Sequence, residues 1–200
     1  MRCNKHLLTK ALLSTTLIAS STLFAAAQIS FGGEPASFRQ PTNSLRSTGA
    51  NKVIEVRPDF NPDDMQSVQV WDAQQVHVKP LIIGRTIATG INFARDAKRV
   101  TLDDGTLVYR LTVDVKGAKA NVLYYDDFFI PQNAGELYIY TPDRKKVLGK
   151  YTYETHPKHG AFATEPLPGT TAILEYKPAL NSEEMPSILI SSVGHIFAKA

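Results

Sequence analysis

Apolar positions along this chain recur with a period of two, in short runs separated by turn-forming residues. Leu107, Tyr109, Leu111 and Val113 alternate with Val108, Arg110 and Thr112, the spacing that puts successive side chains on opposite faces of a strand. Val53, Ile54 and Val56 stop at Pro58. Val68, Val70, Val76 and Val78 surround Trp71, and Leu81 to Ile83 and Thr86-Ile87 follow, split by Gly84. Val122 to Ile130 is apolar and aromatic around Asp126-Asp127. Leu137 and Ile139 alternate with Tyr138 and Tyr140, and Thr171–Tyr176 and Ile188–Phe197 complete the series. Turn signals stand between these runs: Asp103-Asp104-Gly105, Lys116-Gly117, Asn133-Ala134-Gly135, Thr141-Pro142-Asp143, Pro168-Gly169 and Lys177-Pro178.

Strong β-formers at spacings of about ten residues predict an all-β fold, an antiparallel, jelly-roll-like β-sandwich over residues 52–200. No window keeps a helical rhythm. The helical turn expected is near Asn61–Gln66, with Asn61 as cap and Pro62 opening it. No repeat period recurs, which argues against a propeller or solenoid. In Thr171–Tyr176, the residues Ala172, Leu174 and Tyr176 share one face. We expect Leu174 in the core with Phe162 nearby, and Glu175 turned to solvent or a partner. Pro166 and Pro168 cannot donate ladder hydrogen bonds, so that stretch is expected as a rigid connection at a sheet margin.

The N-terminal part has a different texture. Met1 to Lys10 is basic, Ala11 to Phe24 is apolar and uncharged, and Ala25-Ala26-Ala27 supplies small residues. This order is that of a secretory signal peptide spanning residues 1–27, cleaved between Ala27 and Gln28. The apolar stretch is too short and too rich in Ser and Thr to span a bilayer. Residues 28–51 carry Gly32, Gly33, Pro35, Pro41 and Gly49 without a sustained apolar period, and read as a flexible arm. Phe31, Phe38 and Leu45 stand isolated in it, able to dock on a surface.

Composition matters once that leader is set aside. The formal charge of +3 comes from 22 basic and 19 acidic residues, and Arg2, Lys5 and Lys10 lie in the leader. The remainder is neutral, which gives no support to binding nucleic acid or anionic lipid. The single cysteine, Cys3, leaves with the leader, so disulfides, thiolate nucleophiles and Cys-ligated metals are excluded. The expected location is secreted or periplasmic, with no membrane association after cleavage.

Candidate chemistry is sparse. His156 and His159 have a spacing that could ligate a metal, but a metal needs further ligands, and His156-Pro157-Lys158-His159-Gly160 reads more simply as a solvated turn. Asp103-Asp104 and Asp126-Asp127 could offer hard oxygen ligands to calcium, yet neither has the graded spacing of a calcium loop, and the first has the residue order of a hairpin turn. His195, at the end of the Ile188–Val193 run, reads as a hydrogen-bonded side chain at a strand end. No Gly-x-Ser-x-Gly or Gly-Asp-Ser-Gly occurs to pair with a histidine. The eight tyrosines, Tyr109, Tyr124, Tyr125, Tyr138, Tyr140, Tyr151, Tyr153 and Tyr176, suit a sandwich core, and an exposed row of them would suit stacking on sugar rings or a protein partner. We therefore expect no catalytic, metal or cofactor site.

The second half carries an ordered series of segments. Asp104-Gly105 precedes Val108-Tyr109-Arg110-Leu111. Ala118 and the Val122–Phe129 run lead through Ile130-Pro131 to Gly135-Glu136-Leu137-Tyr138-Ile139-Tyr140. Val147 to Thr152, Gly160-Ala161-Phe162-Ala163-Thr164-Glu165-Pro166-Leu167-Pro168-Gly169, Ile173-Leu174-Glu175-Tyr176, Leu189-Ile190 and Val193-Gly194-His195 follow. From about Thr101 to Phe197 this resembles the region preceding the catalytic domain in secreted bacterial trypsin-like serine endopeptidases of the lysyl endopeptidase type. Gly33-Glu34-Pro35-Ala36-Ser37-Phe38 resembles the start of their mature region. Asn133-Ala134-Gly135 and Ile196-Phe197 depart from the usual Gly-Ala and Gly-Tyr. The resemblance implies a non-catalytic pro-region or accessory domain that assists folding, latency or substrate presentation of a protease catalytic domain, in cis or in trans. None of the catalytic motifs of that family is present to carry over. The alternative is a free-standing secreted module that binds carbohydrate or protein.

Overall fold

A computed structural model describes residues 31–41, 52–61 and 82–197. The expected leader with its Ala27/Gln28 cleavage site, the runs around Trp71 and the body of the expected turn at 62–66 lie outside the described residues, as do 42–51 and 198–200.

The described residues form two sheets packed face to face. Sheet A contains β1 (Val53–Val56), β3 (Lys98–Thr101), β4 (Leu107–Val115), β6 (Gly135–Tyr140), β7 (Val147–Tyr151) and β10 (Thr171–Pro178). Its order is β1-β4-β10-β6-β7. β1 runs parallel to the second half of β4, from Val53 opposite Thr112, while β3 pairs antiparallel with the first half. Sheet B contains β2 (Gly84–Asn92), β5 (Ala120–Phe129), β8 (Phe162–Ala163), β9 (Leu167–Pro168) and β11 (Ser187–Ile196). Its order is β2-β11-β5, with the two-residue strands β8 and β9 on the free side of β5. All pairings except β1–β4 are antiparallel. The expected all-β sandwich is the fold observed.

The facing sides of the sheets merge into one core. Leu111, Val113, Leu137, Ile139 and Leu174 enter it from sheet A, and Leu123, Tyr125, Phe128, Ile190 and Val193 from sheet B. Aromatic rings fill the end near β7 and β8, with Phe162 stacked on Tyr125 at 5.5 Å and Phe128 edge-on to Tyr151 at 5.2 Å. The turns fall where the sequence placed them, except at Lys177-Pro178, which are the last residues of β10 and pair with Glu136 and Gly135 of β6. Gly105 (φ +81) closes the β3–β4 hairpin and Gly117 (φ +78) the β4–β5 connection, conformations that a Cβ disfavours.

Several elements differ from expectation. Gly84 begins β2 instead of splitting two strands. Lys98–Thr101 is a strand that no alternation announced, because three of its four residues are exposed. A single helical turn, α1 (Phe93–Asp96), connects the two sheets, capped by the Asn92 side chain, which accepts from the Arg95 amide. Leu174 is fully buried, as expected, and Pro168 sits in the marginal strand β9. Glu175 is a correction: it is 1% exposed. The alternation placed it on the outer face correctly, but that face is covered. Residues 31–41 of the expected flexible arm lie across it, with Ala36–Arg39 in a 3-10 turn and Ala36 and Ser37 buried. This segment is held by backbone groups and isolated side chains, which leave no periodic trace in a sequence.

Candidate functional site

The outer face of sheet A concentrates the buried polar chemistry. Arg110 on β4 and Glu175 on β10 are register partners, so both side chains emerge on the same face at adjacent points. Arg110 Nε lies 3.4 Å from Glu175 Oε2, with the two side chains 3% and 1% exposed. Tyr140 on β6 joins them. Its hydroxyl donates to Glu175 Oε2 at 2.8 Å and accepts from Arg110 Nη2 at 3.0 Å. Burial, reinforced by the Glu175 charge, pushes the Tyr140 phenol well above its ordinary pKa. Burial likewise raises Tyr138, the next tyrosine back on β6, to about 12.

The N-terminal segment closes this cluster from above. The Ser37 amide donates to Glu175 Oε1 at 2.9 Å, and the Ser37 and Tyr140 hydroxyls are 3.0 Å apart. Phe38 meets the Tyr140 ring edge-on at 5.0 Å, and the Arg144 guanidinium lies 4.8 Å above the Phe38 ring. Arg144 follows β6 in a turn where its φ is +63. It donates to the carbonyls of Phe38, Ser37 and Gln40 at 3.3, 3.4 and 2.9 Å. Sequence reasoning missed Arg110, Arg144 and the burial of Glu175. The available signal was a pair of opposite charges, each in the middle of a strongly apolar strand.

Among the described residues, the outer face of sheet B carries exposed aromatic rings beside the buried Val122. Tyr124, Phe129 and Tyr153 are the most exposed described tyrosines and phenylalanines besides Phe31. Tyr124 stands beside a cleft of about 380 Å³ bordered by Val122, Thr86, Gly194 and Ile196. Gly194 leaves room for the Tyr124 ring, since a Cβ there would lie 3.3 Å from its edge. Farther along β5, the exposed rings of Phe129 and Tyr153 cover His156, which is buried and not in a solvated turn as expected; Phe129 is 5.3 Å from His156, and Lys158 lies above the Tyr153 ring at 4.6 Å. A second cleft, of about 430 Å³, holds Glu136 between Lys177 and Lys150 at 3.0 and 3.1 Å. Burial raises the Glu136 carboxyl and the two lysines more than reverse it, for a net pKa below the ordinary value.

The other residues singled out from the sequence have structural surroundings. His195 is fully buried; its Nε2 donates to the Lys116 carbonyl at 3.1 Å and its ring meets Phe60 edge-on. His156 donates from Nδ1 to the Thr152 carbonyl at 3.0 Å. Asp104 accepts from the Thr106 amide in the β3–β4 hairpin, which the order Asp103-Asp104-Gly105 anticipated. Asp126 accepts from the Ser191 hydroxyl at 2.7 Å, and Asp127 from that of Ser187. Among the described residues no three His, Cys, Asp or Glu side chains assemble as a metal site. No helix among them is long and apolar enough to cross a membrane. No family model, curated protein or solved structure matches this chain.

Proposed function

We propose that this chain is a secreted or periplasmic, non-catalytic domain serving a trypsin-like serine endopeptidase of the lysyl endopeptidase type. Its role would be to assist folding, latency or substrate presentation of the catalytic domain, linked to it or acting in trans. One observation supports this above others. The segments that carry the resemblance are the consecutive strands β4 to β11, and they pair into a single sandwich. The resembling stretch thus forms the body of both sheets, which β1, β2 and β3 extend. Its most distinctive residues, Phe162, Leu167, Leu174, Tyr176 and His195, are packed inside or against the core. Such a sandwich offers partners its sheet faces and margins. The test is refolding of a lysyl endopeptidase-type catalytic domain with and without the chain from Gln28. The expected result is a severalfold change in recovered lysyl-amidase activity, together with a complex on size exclusion. Unchanged recovery with no complex overturns the reading.

Tyr124 and its cleft support a second reading, a module that binds carbohydrate. An exposed ring beside a cleft suits stacking on a sugar. Glycan-array binding that disappears in Tyr124→Ala would favour it over the first.

A further inference from the structure

Residues 31–41 meet the sandwich as a ligand meets a receptor. One backbone bond anchors the start, from the Phe31 amide to the Gly149 carbonyl at 2.7 Å, and an ion pair between Arg39 and Asp104 at 3.5 Å lies at the β3–β4 hairpin. Between them, recognition depends on a few body groups: the Glu175 carboxylate for the Ser37 amide, the Tyr140 hydroxyl for the Ser37 hydroxyl, and Arg144 for three carbonyls and one aromatic ring. Arg110, Tyr140 and Glu175 stand on β4, β6 and β10, which are joined to one another by ladder pairing. Their backbone positions are fixed by this pairing within sheet A. The fit is also incomplete. Arg110 is 3% exposed, yet its Nη1 has no hydrogen-bond partner, and neither has Thr112 Oγ1, two positions along the same face of β4. A buried donor left unused is a group that an additional acceptor on a ligand would satisfy.

We propose that the outer face of sheet A is a peptide-binding groove, and that residues 33–40 occupy it in cis. It takes in trans a peptide turn of the same chemistry: a small residue, a serine whose amide meets Glu175, and an aromatic ring under Arg144 with the following carbonyls turned to that guanidinium. The groove is on the opposite sheet from Tyr124 and its cleft and does not depend on the protease reading.

The experiment uses the full chain with a site for a sequence-specific protease inserted between Thr42 and Asn51. The chain is folded first and cut afterwards. A fluorescent peptide of the sequence 31–41 is then added. The expected result is saturable uptake, read as a rise in anisotropy, competed by the unlabelled peptide. Binding falls at least about tenfold when the peptide carries Phe38→Ala or the body carries Arg144→Ala, because each removes the central aromatic–guanidinium contact. Uptake that is absent while circular dichroism shows the cut chain folded overturns the proposal. So does unfolding of the cut chain as its arm leaves, which would make the segment part of the core. Equal uptake of the wild-type and Phe38→Ala peptides would do the same.

Discussion

Replacing Glu175 by glutamine removes one charge from a pair whose members are 1% and 3% exposed. The isostere cannot reproduce the carboxylate. One oxygen accepts from the Ser37 amide and the other from the Tyr140 hydroxyl. If the glutamine carbonyl serves Ser37, its amide group points a donor at Tyr140 and Arg110, which are themselves donating. Arg110 is then a buried cation without a counter-charge. Breaking a buried pair from one side costs about 3–5 kcal/mol, a large share of the roughly 5–15 kcal/mol that holds a domain folded. Urea unfolding at pH 7, followed by far-ultraviolet circular dichroism, should show a midpoint shift of that size. Arg110→Met in the same chain removes the stranded cation. The double variant should therefore be more stable than the sum of the single losses, by about 0.5–3 kcal/mol. A Glu175→Gln midpoint within about 1 kcal/mol of wild type, or strictly additive variants, would show that the charges are solvated and that the segment above them is not closed.

Leu174→Ala, with its side chain fully buried between the sheets, should cost about 2–5 kcal/mol in the same assay. The Asp96 carboxyl is held down to about 2 by the Arg95 guanidinium, helped by Lys52 and the Asn92 amide. Its folded pKa is below the unfolded value, so its contribution is present above about pH 4 and is lost as pH falls toward 2. Urea midpoints from pH 5 to 2 should thus fall less steeply for Asp96→Asn than for wild type, and parallel curves would refute this. The chain from Gln28 should neither cleave lysyl, arginyl or glutamyl peptides nor react with a serine-directed fluorophosphonate. Labelling of one serine, abolished by His195→Ala, would contradict the non-catalytic reading.

The sandwich was legible because alternation in β4, β6 and β10 and the Gly-containing turns are local properties of the chain. The direction of Leu174 was legible for the same reason. Whether the opposite face of β10 meets water depends on what lies over it, and strand periodicity carries no information about that. Ile173 and Glu175 are both buried, yet Glu175 reads as a surface residue until Ser37, 138 positions earlier, is placed beside it. Lys98–Thr101 escaped notice because an exposed margin strand needs no apolar alternation. The histidines and paired aspartates were visible as residue types, but their bonds to Lys116, Thr152, Ser187 and Ser191 depend on the fold.

The seating of the N-terminal segment also sets an order of events during synthesis. Ser37 is 103 residues from Tyr140 and 138 from Glu175. Translation of that interval takes on the order of ten seconds. Throughout it, the segment made first has no surface to occupy, because β10 completes the face last. Contacts so distant along the chain favour slow folding. Closure of the segment over Arg110 and Glu175 therefore reports that the sheet beneath is finished. A chain halted before β10 would display Arg110 and Tyr140 to water or to a chaperone, and one that has passed it would hide them.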